Sequence, residues 1–224
     1  MLWSRNSQLH YPFQNTALDY SGNARHGTVL GTGAYATKPD GSRCLYFDGV
    51  GDYVTTPSFG LIGTVVVFAA HVRSKTLATR QGILAEATSS NTIGFLWAER
   101  WQNSNHARWW YANGAGVSAA QAIDIFAAPY EDAWMHLLIV CDYDGKQTYF
   151  YRNATLFTTI AMAGTPVFPS TARVKYVGSY NAFDYLLTAS YLQNVQLWTL
   201  PTMPAASHML ANVNRIMLGM NPIW

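Results

Sequence analysis

Two stretches near the N-terminus, ALDYSGNARHGTVLGTGAY (residues 17–35) and CLYFDGVGDYVTTP (residues 44–57), decide the fold. Glycine, aspartate and asparagine interrupt every short apolar run in them, so neither stretch forms a helix. Both predict short strands joined by tight turns. The Asp, Ser and Asn side chains of the first stretch suit three readings, namely a metal-binding loop, a sugar-binding loop or a series of turns.

The same alternation of short apolar runs and turn residues continues along most of the chain. It predicts strands at residues 28–30, 44–47, 52–55, 64–73, 81–87, 92–98, 108–112, 134–142, 146–152, 155–161, 174–178 and 189–198. An Asp-Gly pair at 144–145 predicts a tight hairpin turn. Helical structure is predicted near residues 116–122 and in the tail, with Pro204 at the first helical position and Gly219 as the C-terminal cap.

The two opening stretches resemble the N-terminal pattern of laminin-G-like, concanavalin A-like jelly-roll domains, of the kind found in tailed-phage virion proteins. That family has a D-x-S-G-N-x-x-x-G turn followed by an L-x-F-D-G-x-x-D-Y-V hairpin, and both patterns occur here at residues 19–27 and 45–54. Four later segments match in order, WMHLLIV (134–140), GKQTYFYRN (145–153), VG (177–178) and LQNVQLW (192–198). The resemblance implies an all-β antiparallel sandwich over residues 1–200, followed by a helical, apolar tail at 201–224.

The low content of charged residues and the lack of a long apolar run argue against some classes of function. Charged residues make up 12% of the chain and the net charge is +2, which argues against a nucleic-acid partner. The longest apolar run, LIGTVVVFAA (61–70), is well short of the roughly 20 residues that span a bilayer. The N-terminus lacks a basic region followed by an apolar stretch, so no secretory signal is predicted.

The carboxylates argue against catalysis. Jelly-roll glycosidases use paired acids on one strand face, whereas the three glutamates here, Glu86, Glu99 and Glu131, are far apart in sequence. Asp142 and Asp144 flank the predicted hairpin turn, where aspartate is favoured for backbone reasons. We therefore predict that the chain is not an enzyme.

The stretch FLWAERWQNSNHARWWY (95–111) is the richest candidate for ligand binding. Neighbours in a strand point to opposite faces, so Trp109 and Trp110 cannot share one face. A core role, a glycan site and a protein interface all stay open for these indoles. The loop GSYNAFDYLL (178–187) is a second candidate. The predicted ligand-binding residues are Trp97, Trp101, Arg108, Trp109, Trp110, Tyr180, Asn181, Asp184 and Tyr185.

A structural calcium is implied by the resemblance, held under the D-x-S-G-N turn by Asp19 with Asn23. The last strand carries Gln193 and Asn194 where the family often has acids, which would weaken such a site. The turn-making role is favoured and the calcium site is left open; no other cofactor is predicted. Cys44 and Cys141 are predicted to be buried free thiols, with a disulfide between the sheets as the alternative.

The tail HMLANVNRIMLGMNPIW (208–224) is too apolar to stay uncovered. It either docks on its own sheet or inserts into another subunit or protein. The residues predicted for such an interface are Met209, Val213, Ile216, Met220 and Trp224.

These observations favour a non-catalytic binding or structural module. The first hypothesis is a bacteriophage virion surface protein, a head or tail decoration assembled in the host cytoplasm. Its partners would be other virion proteins or copies of itself, with weak contact to a cell-surface glycan. The alternative is a bacterial carbohydrate-binding or adhesin module at the cell surface or outside the cell. A glycoside hydrolase ranks third.

Overall fold

The computed structural model describes residues 6–75, 79–86, 97–101, 104–180 and 186–217, and within these ranges the chain forms fifteen strands and one helix. The strands β1 to β15 are Ser7–Tyr11, Thr28–Leu30, Ala34–Thr37, Arg43–Asp48, Tyr53–Thr55, Val65–Arg73, Gln81–Glu86, Trp97–Arg100, Ala107–Ala112, Val117–Ala122, Met135–Asp142, Gln147–Arg152, Thr155–Ala161, Lys175–Val177 and Thr188–Leu200. The helix, α1, is Ala206–Met217.

The strands form two sheets. One has eight strands in the order β13-β12-β11-β6-β15-β4-β3, with β1 also paired to β15, and the other has seven in the order β10-β9-β8-β7-β14-β5-β2. Neighbouring strands pair antiparallel in both sheets. This arrangement confirms the predicted antiparallel β-sandwich.

The alternation of side chains along each strand separates the core from the outer faces. On β6, Phe68 and Val72 point into the core between the sheets, while Val65 and Val67 point to the outer side of the eight-stranded sheet. Both sides of β6 are buried along residues 65–70 because α1 packs on that outer side. The unbroken apolar run at 65–70 is therefore explained by cover on both faces of the sheet.

One ion pair lies in the interior. Lys175 Nζ is 2.6 Å from Glu86 Oε1, and neither side chain is exposed. Lys175 Nζ also donates to the Phe59 carbonyl oxygen at 2.6 Å. A buried charge of this kind is tolerated only when it is paired and hydrogen-bonded. Glu86 is thus committed to a structural contact with Lys175.

The prediction of helical structure near residues 116–122 is wrong, because Val117–Ala122 forms β10 at the edge of the seven-stranded sheet. Its register places Ala119 opposite Trp110 and Ala120 opposite Trp109. Alanines leave room for the two indoles on either side of the sheet. The pairing with β9 therefore outweighs the helix propensity of this alanine-rich segment.

The helix α1 docks on its own sheet. Its buried residues Met209, Val213 and Ile216 join a cluster with Val67 and Trp198 on the outer side of the eight-stranded sheet. The prediction that these three residues meet a partner is corrected, because the sheet already covers them. Met220, Trp224 and the predicted cap Gly219 lie outside the described residues.

The helix begins at Ala206, two residues after Pro204, and the Met209 N–H donates to the Ala205 carbonyl oxygen at 2.9 Å. Pro204 therefore precedes the helix instead of opening it. Within the described part of the chain, no helix has both the length and the apolar character needed to cross a membrane.

Candidate functional site

A group of aromatic side chains occupies the outer face of the seven-stranded sheet. The register of β8 and β9 places Trp97 opposite Trp110 and Glu99 opposite Arg108. Since side chains alternate along a strand, these four share the outer face while Ala98 and Trp109 point into the core. We call Trp97, Trp101 and Trp110, together with Arg80, Arg108 and Tyr180, the tryptophan face.

The rings of this face are in mutual contact. Trp97 and Trp110 stack with centroids 5.5 Å apart and planes at 19°. Trp101 lies 6.3 Å from Trp110, and Tyr180 lies 4.4 Å from Trp97. Trp97 is the deepest of the indoles, at 5% exposure, whereas Trp101 and Trp110 are half-buried. Of the three indoles, Trp101 and Trp110 are therefore the accessible ones.

Two arginines lie against these rings. The Arg108 Cζ atom is 3.4 Å from the centroid of Trp101, and the Arg80 Cζ atom is 4.0 Å from the same centroid. Arg80 also lies 5.5 Å from the centroid of Trp110. Cation–π contacts of this kind hold both guanidinium groups over the Trp101 ring.

A buried carboxyl group lies at the base of the face. Trp110 Nε1 donates to Glu99 Oε1 at 2.6 Å, and the Glu99 side chain is wholly buried. Burial raises the pKa of Glu99 to about 7, although the Trp110 hydrogen bond and the charges of Arg80 and Arg108 act in the opposite direction. Trp110 is therefore held in place by a carboxyl group that changes its charge near neutral pH.

The loop that carries Tyr180 reaches this sheet over Gly82. A β-carbon at position 82 would lie 2.7 Å from the Tyr180 backbone nitrogen, so only glycine permits this close approach. The approach brings the Tyr180 ring onto Trp97. Tyr180 was predicted from the sequence as a ligand-binding residue, and no local pattern marks this role of Gly82.

The predicted ligand-binding residues fall into three groups. Trp97, Trp101, Arg108, Trp110 and Tyr180 come together at the tryptophan face. Trp109 is fully buried between the sheets at 0% exposure, so it is corrected to a core residue. The remaining three, Asn181, Asp184 and Tyr185, lie outside the described residues.

Arg80 is a member of the tryptophan face that the sequence analysis missed. It immediately precedes β7, and it reaches the indoles because β7 pairs with β8. Glu99 was predicted from the sequence to lack a catalytic partner acid, and it lies in the tryptophan-rich stretch 95–111. Its position opposite Arg108 follows from the strand register, for which the local sequence carries no marker.

The Asp19 carboxylate organises the D-x-S-G-N turn. Its Oδ1 accepts from the backbone N–H groups of His10 and Ser21 at 2.9 Å, and its Oδ2 accepts from the Ser21 hydroxyl at 2.8 Å and the Arg25 N–H at 2.9 Å. A carboxylate has about four acceptor positions, and all are used here. The Asn23 side-chain nitrogen donates to the Ser7 carbonyl oxygen. With its acceptor positions filled in this way, the Asp19 carboxylate does not fit a calcium ligand set.

The sequence model of a protein family, the concanavalin A-like lectin/glucanase superfamily, matches residues 48–205 of this chain. The chain belongs to this superfamily. Together with the two packed antiparallel sheets, the match confirms the jelly-roll assignment. A comparison with curated protein sequences finds no match.

Several solved domains share the fold of this chain. Domain 4 of AbnA, an extracellular arabinanase of family GH43 from Geobacillus stearothermophilus solved in complex with arabinotriose, is 17% identical, with a TM-score of 0.68 over 95% of this chain and 100% of that one. The botulinum neurotoxin serotype D binding domain is 10% identical, with a TM-score of 0.67 over 96% of this chain and 52% of that one.

The binding domain of Paraclostridial Mosquitocidal Protein 1 is also 10% identical, with a TM-score of 0.67 over 95% of this chain and 52% of that one. The chain thus spans about half the length of the toxin binding domains that it resembles. At these identities the likeness concerns the fold.

Proposed function

We propose that this superfamily member is a non-catalytic binding module that holds a carbohydrate on the tryptophan face. The observation that carries the proposal is the pair of half-buried indoles, Trp101 and Trp110, with the guanidinium groups of Arg80 and Arg108 stacked on the Trp101 ring. Flat aromatic surfaces suit the C–H faces of sugar rings, and guanidinium N–H groups suit their hydroxyls. The arabinotriose in the AbnA domain gives independent support for this class of ligand.

The acids of this face do not favour glycoside hydrolysis. Hydrolysis by paired carboxylates needs two of them about 5–10 Å apart. Among the strand residues that the structure describes on this face, Glu99 is the one acid. Its neighbours across the sheet are Arg108 and then Gln121 on one side, and Gly82 on the other. Glu99 also accepts the Trp110 hydrogen bond, which suits a positioning role.

A place on a phage virion stays a prediction, as do contacts with other virion proteins or with copies of this chain. The docked α1 removes one argument for it, because Met209, Val213 and Ile216 are covered by the sheet. A glycan-binding face suits either setting, a virion surface that meets host cells or an extracellular module.

The proposal is tested with Trp101→Ala, because the Trp101 ring lies against Trp110, Arg80 and Arg108, whereas the Trp110 indole also donates a hydrogen bond to Glu99. A glycan array first identifies a ligand for the unmodified protein, and calorimetry then compares the variants. We expect Trp101→Ala to lose about 2 kcal/mol of binding free energy, the size typical of a central aromatic anchor.

The matched control is Tyr20→Ala, which removes an aromatic ring that is 47% exposed and lies in the D-x-S-G-N turn, away from the tryptophan face. It should bind like the unmodified protein, and both variants should keep its melting temperature. Failure of the unmodified protein to bind any glycan on the array, or equal binding by Trp101→Ala, would contradict the proposal.

A further inference from the structure

A second aromatic and cationic patch lies on the opposite side of the molecule. The helix α1 covers the part of the eight-stranded sheet around Val67, while further along β6 the outer face carries His71 and Arg73. The register places Tyr191 of β15 beside Arg73 and Gln193 beside His71. This part of the sheet is not covered by the helix.

A cavity of about 100 Å³ opens in this patch. The residues that line it include Ala36 and Lys38 at the end of β3, Arg73, Trp134 and Tyr191. Trp134, which immediately precedes β11, lies 6.0 Å from the ring of Tyr191 at an interplanar angle of 50°. The two rings form inclined aromatic walls beside the two cations.

Lys38 supplies a buried positive charge. The residue is 8% exposed, and its Nζ atom lies 2.8 Å from Gln193 Oε1, 3.3 Å from His71 Nδ1 and 3.2 Å from Asp40 Oδ2. The Asp40 side chain is 60% exposed, so solvent weakens its hold on the ammonium group. The Lys38 charge also lies over the Trp134 ring, 4.8 Å from its centroid. A low-dielectric wall with a buried cation favours an anionic occupant.

The nearby histidines add no positive charge to that of Lys38. Burial, with a smaller contribution from the Lys38 charge, lowers the pKa of His71 to about 4. Burial likewise lowers the pKa of His136 to about 4, with a smaller contribution from His71. Both imidazoles are therefore neutral at pH 7, and the charges of the patch are the cations Lys38 and Arg73 with their carboxylate partners Asp40 and Asp132.

Arg73 offers the free hydrogen-bond donors. Its Nε–H is directed at Asp132, with distances of 2.9 Å to the carbonyl oxygen and 3.1 Å to Oδ1. Among the described residues, no partner is found for its two terminal nitrogens, and the side chain lines the cavity. These nitrogens form the planar fork that matches a carboxylate. Asp132 fixes the guanidinium plane from the other side.

We propose that this cavity is a second binding site, which takes the carboxylate of an acidic sugar such as a uronic acid. The carboxylate pairs with the terminal nitrogens of Arg73, with the Lys38 charge nearby, and the sugar ring lies against Trp134 and Tyr191. The site lies on the other sheet from the tryptophan face and does not depend on the function proposed for that face.

The test compares three ligands by calorimetry on the full chain. Methyl glucuronide carries the ring and the carboxylate, methyl glucoside carries the ring alone, and acetate carries the carboxylate alone. We expect methyl glucuronide to bind at least about tenfold more tightly than either of the others, a difference of about 1.4 kcal/mol. Equal binding of all three, or no binding of the glucuronide at roughly millimolar concentration, overturns the proposal.

Two variants locate the site. Arg73→Gln removes the fork, and Ala36→Leu fills the cavity without changing a charge; each should weaken glucuronide binding at least about tenfold. The matched control is Lys75→Gln, because Lys75 pairs with the same Asp132 at 3.5 Å but does not line the cavity. A loss in Lys75→Gln as large as in Arg73→Gln, or full binding by a folded Ala36→Leu variant, overturns the assignment.

Discussion

Glu99 is a carboxyl group that the fold holds away from water beneath the tryptophan face. Its pKa in the folded protein is about 7, above the value of 4.5 for a free glutamate, chiefly because of burial. The folded state therefore binds the Glu99 proton more tightly than the unfolded chain does. By linkage, the contribution of Glu99 to stability is most favourable below pH 4.5 and is lost as the pH rises through 7.

We expect Glu99→Gln to raise the free energy of unfolding at pH 8 by about 2 kcal/mol and to have little effect at pH 4.5, where the carboxyl is already neutral. Urea unfolding at the two pH values measures the difference. Glu131→Gln, at an exposed position, is the control and should match the unmodified protein at both. An equal stability change for Glu99→Gln at both pH values would contradict the buried-carboxyl explanation.

Single residues also show what the sequence could predict. Alternation correctly required Trp109 and Trp110 to point to opposite faces, because that rule needs only a strand. Which of them lies in the core depends on the register with β8 and β10, which is set by long-range pairing. For the same reason Arg80 was missed, since its partners Trp101 and Trp110 come from strands that β7 meets only in the folded sheet.

The helix α1 has one side buried against the sheet and one side exposed to solvent. Val213 is fully buried against the sheet, whereas Leu210 on the same helix is 51% exposed. We expect Val213→Asp to lower the free energy of unfolding by about 3 kcal/mol, because it buries an unpaired charge in an apolar cluster. The control Leu210→Asp should change it by no more than about 0.5 kcal/mol.

Denaturant unfolding of both variants checks this expectation. A matching small effect for Val213→Asp would mean that α1 does not stay docked on the sheet in solution. In that case the interface predicted from the sequence for Met209, Val213 and Ile216 would again be available to a partner.

Elements differ in how far the sequence predicts them. The strands with strong apolar runs, such as Val65–Arg73 and Met135–Asp142, were predicted to within a residue or two at each end. Ser7–Tyr11 and Ala34–Thr37 were missed, because short segments with few β-branched residues give little local signal. They form strands because they pair by backbone hydrogen bonds with β15 and β4, respectively.

Across the whole molecule, the two cysteines lie on different sides of the eight-stranded sheet. Cys141 belongs to the core between the sheets, while the Cys44 thiol donates to the Ala36 carbonyl oxygen beside the cavity on the outer face. Both thiols are free in the structure. The predicted free thiols are thus confirmed, and the disulfide between the sheets that the sequence left open is not formed.

We expect a thiol reagent to count two free thiols per chain in denaturant and to react slowly with the folded protein. Burial raises the pKa of both thiols, so little reactive thiolate is present at neutral pH. Mass spectrometry after alkylation without reductant measures the count. Recovery of an unalkylated, disulfide-linked form would require the sheet around Cys44 or Cys141 to rearrange.

The position of β15 has a consequence for biosynthesis. This strand, Thr188–Leu200, lies inside the eight-stranded sheet and pairs with β6, β4 and β1, the last of which begins at Ser7. A ribosome must therefore have made nearly all of residues 7–200 before the sheet can close. Until then, β6 and β4 each lack a neighbour on one side, and their apolar surfaces are open to chaperones or to another nascent chain.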